Sequence, residues 1–189
     1  MSRCLWIALA LTAATVAAAG TSMSNIVTGA ADGGSRVSEV VGFSSAVLPS
    51  ADHAVVRKSE RRLYLMQDGN VVRSYRIALG LVPGGSKERA GDFRTPEGIY
   101  QLTHRNAHSD FFLSIQVSYP NAEDLQRARR NRWEVGGSIM VHGWPNSLRH
   151  PPDYYTTADW TDGCIAMSNA DMVEFWLLTH DNMPIEIRP

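Results

Sequence analysis

From Ala51 onward the chain is cut into short β-rich runs by turn residues, and this punctuation leaves room for little but a sheet-based domain. His53-Ala-Val-Val-Arg57 reads as a strand. Arg62-Leu-Tyr-Leu-Met66 and residues 71–79 flank Gln67-Asp68-Gly69-Asn70, whose turn chemistry predicts a hairpin. Residues 81–92 carry Pro83, Gly84, Gly85 and Gly91 with mixed charge and read as a loop. Thr95-Pro96-Glu97-Gly98 reads as a turn leading into a strand over 99–103, and 111–117 is a further strand. Ser138-Ile-Met-Val141 is a short buried strand running into His142-Gly143, and 184–187 a closing one. Two helices are predicted: 122 to 132, capped by Asn121 with Glu123 and Asp124 in its first turn, and 169 to 179, capped by Ser168. Met172, Val173, Phe175 and Trp176 give the second an apolar face. The expected fold class is mainly β, with one or two helices packed on the sheet.

The first fifty residues have a different texture. Arg3 supplies one positive charge, residues 5–19 carry none, and the run closes on Ala17, Ala18 and Ala19. That pattern, too short for a comfortable membrane span, reads as a cleaved signal peptide over 1–19; an uncleaved N-terminal anchor is the alternative. Cys4 precedes the apolar run and leaves with it. Residues 20–50, rich in Ser, Gly, Ala and Thr, read as a flexible tether, with enough apolar residues over 37–47 for a short element. Nothing after Ala19 approaches transmembrane length, so no stable membrane span is expected after cleavage. Residues 51–189 are sufficient for one domain with its own core. A net charge of −1, with the two signs interspersed, gives no electrostatic case for nucleic acid.

Signal removal leaves Cys164 as the lone cysteine, without a disulfide partner in the chain. It is then either a buried small hydrophobe or a reactive thiol, and an oxidising compartment disfavours idle exposed thiols. Its neighbourhood is informative: a strand delivers His142, a long irregular segment follows, and the chain returns with Asp162-Gly163-Cys164. A thiol–imidazole pair is built this way, since the thiolate is the reactive form and a neighbouring imidazole shuttles its proton. Gly163 removes bulk beside the sulfur, and backbone N–H groups at Gly163 and Cys164 are candidate oxyanion donors. Taken singly, each residue also has a packing role open to it: His142 as a core histidine, and Trp144, Tyr154, Tyr155 and Trp160 as core aromatics. A zinc site is disfavoured, because there is no second cysteine and neither His150 nor His180 has ligand-like spacing to Cys164.

The combination resembles the L,D-transpeptidase catalytic domain, also called the YkuD domain. In that family a strand ends in His-Gly and is followed downstream by Ser/Thr-x-Gly-Cys and an apolar residue; here these are His142-Gly143 and Thr161-Asp162-Gly163-Cys164-Ile165. The likeness extends through Arg62-Leu-Tyr-Leu, the 71–80 strand ending in Ala-Leu-Gly, Arg94-Thr-Pro-Glu-Gly-Ile-Tyr100, Ser118-Tyr-Pro-Asn121 and Pro184-Ile-Glu-Ile187. It covers residues 51–189, which are read as the catalytic domain. Two positions depart from the pattern: Asp162 stands where many members have histidine, and Ala166 where many have arginine.

The resemblance implies a β-sandwich or barrel and an exported enzyme of the periplasm or cell envelope acting on peptidoglycan stem peptides, with no metal or organic cofactor. Cys164 is then the nucleophile and His142 the general base and later acid. Gly163 shapes the oxyanion site, and a backbone carbonyl or a polar side chain such as Thr161 orients the imidazole. The bond attacked is that between the diamino acid at stem position three and the terminal D-Ala, and the thioester passes to an amine of another stem, a D-amino acid or a lysine of a wall-attached protein. Residues 145–160 are the expected lid, with Trp144, Asn146, Tyr154, Tyr155, Trp160 and Asp162 as substrate contacts. Two alternatives remain: an L,D-carboxypeptidase or endopeptidase on the same scaffold, and a non-catalytic peptidoglycan-binding module.

Overall fold

The computed structural model describes residues 50–189, so the signal over 1–19, the tether up to residue 49 and the short element over 37–47 lie outside the described residues. In chain order the elements are β1 (His53–Arg57), β2 (Arg62–Gln67), β3 (Asn70–Arg76), β4 (Gly98–Ser109), β5 (Phe112–Val117), α1 (Ala122–Asn131), β6 (Met140–His142), α2 (Pro152–Thr157), β7 (Ile165–Ala166), α3 (Asn169–Leu178) and β8 (Pro184–Arg188). The strands lie in the order β3-β2-β1-β8-β4-β5-β6-β7. β1/β8 and β6/β7 are parallel, and the other neighbours are antiparallel. β4 joins two halves: its start pairs with β8 and its remainder with β5. Beyond β3 the chain bridges Ala78 to Ala166 and Gly80 to Thr161, so the segment leaving one edge strand bonds onto the other end of the sheet.

Alternation explains the core. In β2, Leu63 and Leu65 are fully buried while Arg62, Tyr64 and Met66 are only partly so. Leu102, Ile115, Val117, Val141, Ile165, Ile185 and Ile187 continue the same inner face, and each such side chain contributes about 1.5–3 kcal/mol on burial. α3 lays Met172, Phe175 and Leu178 against this face. Ser168 Oγ accepts from Asp171 N at 3.1 Å to start α3. Arg105 ends it, donating to Trp176 O at 2.9 Å and to Thr179 Oγ1 at 3.0 Å. At α1, Asn121 accepts from the N–H of Glu123 and Asp124 at 3.0 Å, and Asp124 reaches back to Asn121 N, completing a capping box.

The differences from expectation are local. β3 stops at Arg76, where the chain leaves its partner to cross toward β7. β4 runs to Ser109 instead of stopping near 103, because 104–109 pairs with β5 through a bulged hairpin although its residues are polar. The lid segment contains a third helix, α2, and Ile165-Ala166 forms a strand of its own. Among the described residues no helix is long and apolar enough to cross a membrane.

Candidate active site

β6 ends on His142, and the glycine after it turns the chain away. A Cβ on Gly143 would lie 2.6 Å from Asn169 Oδ1 and 3.1 Å from Phe111 O, so only glycine fits. Asn169 Oδ1 also accepts from Trp144 N at 2.8 Å, tying the start of α3 to the loop after the histidine.

His142 is 3% exposed, with the Phe111 ring centroid 4.6 Å away and that of Trp160 at 5.6 Å. Its Nδ1 lies 2.7 Å from Gly143 O. A carbonyl can only accept, so Nδ1 carries the proton and Nε2 keeps a free lone pair. Burial lowers the imidazole from 6.5 to about 4, with the Gly143 hydrogen bond working against it. The ring is therefore neutral at pH 7.

The parallel β6/β7 register pairs Val141 with Ile165 and His142 with Ala166. Side chains alternate, so Cys164, two residues before Ala166, faces the same side as His142. Ser114, paired with His142 from β5, is buried on that side too. The half-buried Cys164 thiol donates to Ser138 O at 3.6 Å and not to His142. Burial pushes this thiol above its usual value, the backbone N–H of Met140 offsets part of the rise, and the Asp162 carboxylate adds to it. Thiol and imidazole thus meet the cavity as two neutral groups.

The Thr161–Cys164 turn is internally stapled. Thr161 Oγ1 donates to Cys164 O at 2.7 Å and accepts from Gly163 N at 3.1 Å. The Thr161 hydroxyl is thus spent within the turn, and of the two kinds of orienting group expected for the imidazole it is a backbone carbonyl, that of Gly143, that meets Nδ1. The Gly163 N–H is already engaged by Thr161. Gly163 is needed for another reason: its φ is +123°, and a Cβ there would lie 2.6 Å from Arg94 O.

Arg94 belongs to a rigid backing loop. Buried Lys58 donates to Gly85 O at 2.6 Å, Thr95 O at 3.1 Å and Glu97 Oε1 at 2.7 Å. Buried Lys87 pairs with Asp92 at 2.7 Å. Burial pushes the Asp92 carboxyl up, but Lys87 and the N–H groups of Glu88, Arg89 and Arg94 outweigh it and bring it down to about 2. Asp159 clamps the near end of the lid: Arg61 Nη2 donates to it at 2.8 Å, and its Oδ1 accepts from Leu79 N at 2.9 Å.

His142 and Cys164 open onto one cavity of about 1030 Å³. Asn146, Tyr154, Tyr155, Trp160, Thr161 and Asp162 line it. Trp144 does not: it borders a separate space of about 40 Å³ beside Ala166 and packs on Tyr155 at 5.7 Å. Asn146 spends its side chain on the β4–β5 turn, accepting from Phe112 N at 3.0 Å and donating to Ser109 O at 2.9 Å. That contact holds Phe111 over the imidazole. Phe111, Ser114 and Asn169 were not legible as site residues, because each reaches the site through strand register or a distant loop contact.

By fold and site the chain falls in the class of mainly β domains that present a thiol and an imidazole to one cavity. It belongs to the YkuD family, the L,D-transpeptidase catalytic domain, which matches residues 51–187. It is 27% identical over 140 residues to YafK of Escherichia coli K12, whose name assigns it to the L,D-transpeptidases; the match covers 71% of this chain and 49% of YafK. The crystal structure of the helical cell shape determining protein Pgp2 from Campylobacter jejuni shares the fold, with TM-score 0.54, 24% identity and coverage of 74% of this chain and 48% of Pgp2. An L,D-transpeptidase from Xylanimonas cellulosilytica aligns with TM-score 0.50 and 18% identity over 75% of this chain and 62% of that one. The chain thus spans about half the length of the curated relative it matches.

Proposed function

We propose that this chain is an exported peptidoglycan L,D-transpeptidase that works through Cys164. The observation that carries the reading is the pairing of a half-buried thiol with a neutral imidazole whose Nε2 is free, both on one sheet face at one cavity. Cys164 Sγ attacks the carbonyl carbon of the diamino acid at position three of a tetrapeptide stem as His142 Nε2 takes the thiol proton. Because both groups start neutral, proton transfer accompanies attack and no standing ion pair is required. Cys164 N–H faces the developing oxyanion. The intermediate collapses to a thioester, and His142 returns its proton to the departing D-Ala amine. An acceptor amine then attacks the thioester, losing its proton to His142, which protonates the leaving thiolate. Acceptors of this chemistry are the side-chain amine of a second stem, a D-amino acid or a lysine on a wall-attached protein.

The wall of Phe111, Tyr155 and Trp160 supports the reading, since an aromatic surround sheds water from the thioester. The signal-like N-terminus and the wall substrate together point to the periplasm. Incubation with a disaccharide-tetrapeptide and chromatography of the products tests the proposal. Cys164-dependent release of D-Ala with cross-linked dimer is the expected result; tripeptide without dimer assigns water as the acceptor and the L,D-carboxypeptidase activity instead. Unchanged D-Ala release by Cys164→Ala overturns the thiol mechanism.

A further inference from the structure

The cavity is lined by two aspartates, Asp110 and Asp162, and by His108, His142 and His150, but among the described residues the only lysine or arginine on its wall is Arg149. Arg149 is also unengaged: among the described residues its guanidinium makes no ion pair and donates no hydrogen bond to the protein, a state it shares with Arg62, Arg129, Arg130 and Arg132, none of which lines the cavity. Its backbone is not loose. Arg149 N donates to the hydroxyl of buried Tyr155 at 3.0 Å, and the next residue, His150, packs on Tyr154 with ring centroids 4.2 Å apart. The backbone of an exposed arginine is thus anchored in the lid at the cavity wall, and among the described residues no carboxylate pairs with its guanidinium. Asp162 lies beside the thiol, so the cavity has a negative pole at the nucleophile and a positive one at the lid. A substrate carboxylate entering this field is repelled from the thiol turn and drawn to the lid.

We propose that Arg149 is the carboxylate-binding residue of this cavity and orients the acyl donor by a free carboxylate, placing it on the lid side of Cys164. The inference rests on the peptidyl-transfer reading above. The planar guanidinium suits bidentate binding of a carboxylate. In a stem peptide the group has three sources: the free α-carboxylate of the γ-linked D-glutamate at position two, the side-chain end of the diamino acid and the terminal D-Ala.

The test compares wild type with Arg149→Gln and Arg149→Lys on four disaccharide-tetrapeptides: fully acidic, and amidated at the terminal residue, at the side-chain carboxylate of the diamino acid or at the α-carboxylate of the D-glutamate. Wild type is expected to lose about 10- to 100-fold in kcat/KM on one amidated substrate, which identifies the carboxylate bound. Arg149→Gln is expected to show the same loss on the acidic substrate, mainly as a higher KM, and to discriminate no further between acid and amide. Arg149→Lys restores part of the difference. Iodoacetamide labelling of Cys164 at the wild-type rate shows that the variants keep the site. Turnover by Arg149→Gln with the wild-type acid-to-amide ratio overturns the Arg149 assignment alone; absence of Cys164-dependent turnover in wild type overturns the peptidyl-transfer reading and this inference with it.

Discussion

The two walls of the cavity are built on different principles. Behind the Cys164 thiol, loop 81–97 is fixed by buried charge: Lys58 with Glu97, Lys87 with Asp92, and the Arg94 carbonyl lying where only Gly163 can pass. Over it, the lid is pinned at its near end by the Arg61–Asp159 ion pair, and the rest is held by ring-to-ring contacts and single hydrogen bonds, such as Trp160 Nε1 to Tyr155 O at 3.3 Å and Arg149 N to Tyr155 OH at 3.0 Å. Buried ion pairs collapse expensively when one partner is removed, whereas aromatic edges repack. The molecule thus puts its stiffness behind the Cys164 thiol and its tolerance on the facing wall of the cavity.

The largest expected effect lies in the back wall. Asp92→Asn strands the buried Lys87 ammonium and is expected to destabilise the domain by about 3–5 kcal/mol, read from the denaturant midpoint. A cost no greater than that of a lid substitution would break the contrast. The same pair gives a pH signature. Asp92 titrates near 2 in the fold against an ordinary 3.8, so its stabilisation is complete above about pH 4 and is lost as the pH falls toward 2.

His142, set between the two walls, comes next. Its folded value of about 4 lies below 6.5, so above pH 6.5 it does not affect stability. As the pH falls from 6.5 toward 4 only the unfolded chain takes up the proton, and stability drops by about 3 kcal/mol. His142→Asn removes that slope. The thiol shift has the opposite consequence for reactivity: the iodoacetamide rate at Cys164 climbs through neutral pH and continues to rise beyond 9.0. A rate plateau beginning in acid would indicate a thiolate–imidazolium pair.

Gly163→Ala tests the close approach itself. A positive φ and a clash with Arg94 O predict about 1–3 kcal/mol of strain, together with a displaced thiol and a fall in labelling rate. The smallest effect belongs to the lid. Tyr155→Phe removes one acceptor and is expected to cost about 1 kcal/mol or less, with faster hydrogen exchange at the Arg149 amide as its local mark.

What the sequence disclosed follows the same division. The alternating strand β2, the short apolar run of β1, and helices with clear caps, such as α1 and α3, were legible because their signals are local. The second half of β4 was hidden, since His104 to Ser109 pairs without an apolar face to announce it. α2 was hidden as well: it is six residues long and no side chain caps its start. At the site, Cys164 and His142 stood out by type and order, but the partner of each polar group did not. A hydroxyl three residues before the thiol suggested an imidazole partner, whereas the fold spends it on the turn. Trp144 looked like cavity wall because it follows His-Gly, yet the tether of Trp144 N to Asn169 carries the loop to the other side of Tyr155.

The most direct test is intact mass spectrometry of the protein mixed with disaccharide-tetrapeptide and quenched in acid. The account predicts an adduct equal in mass to the disaccharide-tripeptide acyl group, mapped to Cys164, labile to hydroxylamine and absent from Cys164→Ala. An adduct on another residue, or D-Ala release by Cys164→Ala at the wild-type rate, would contradict it.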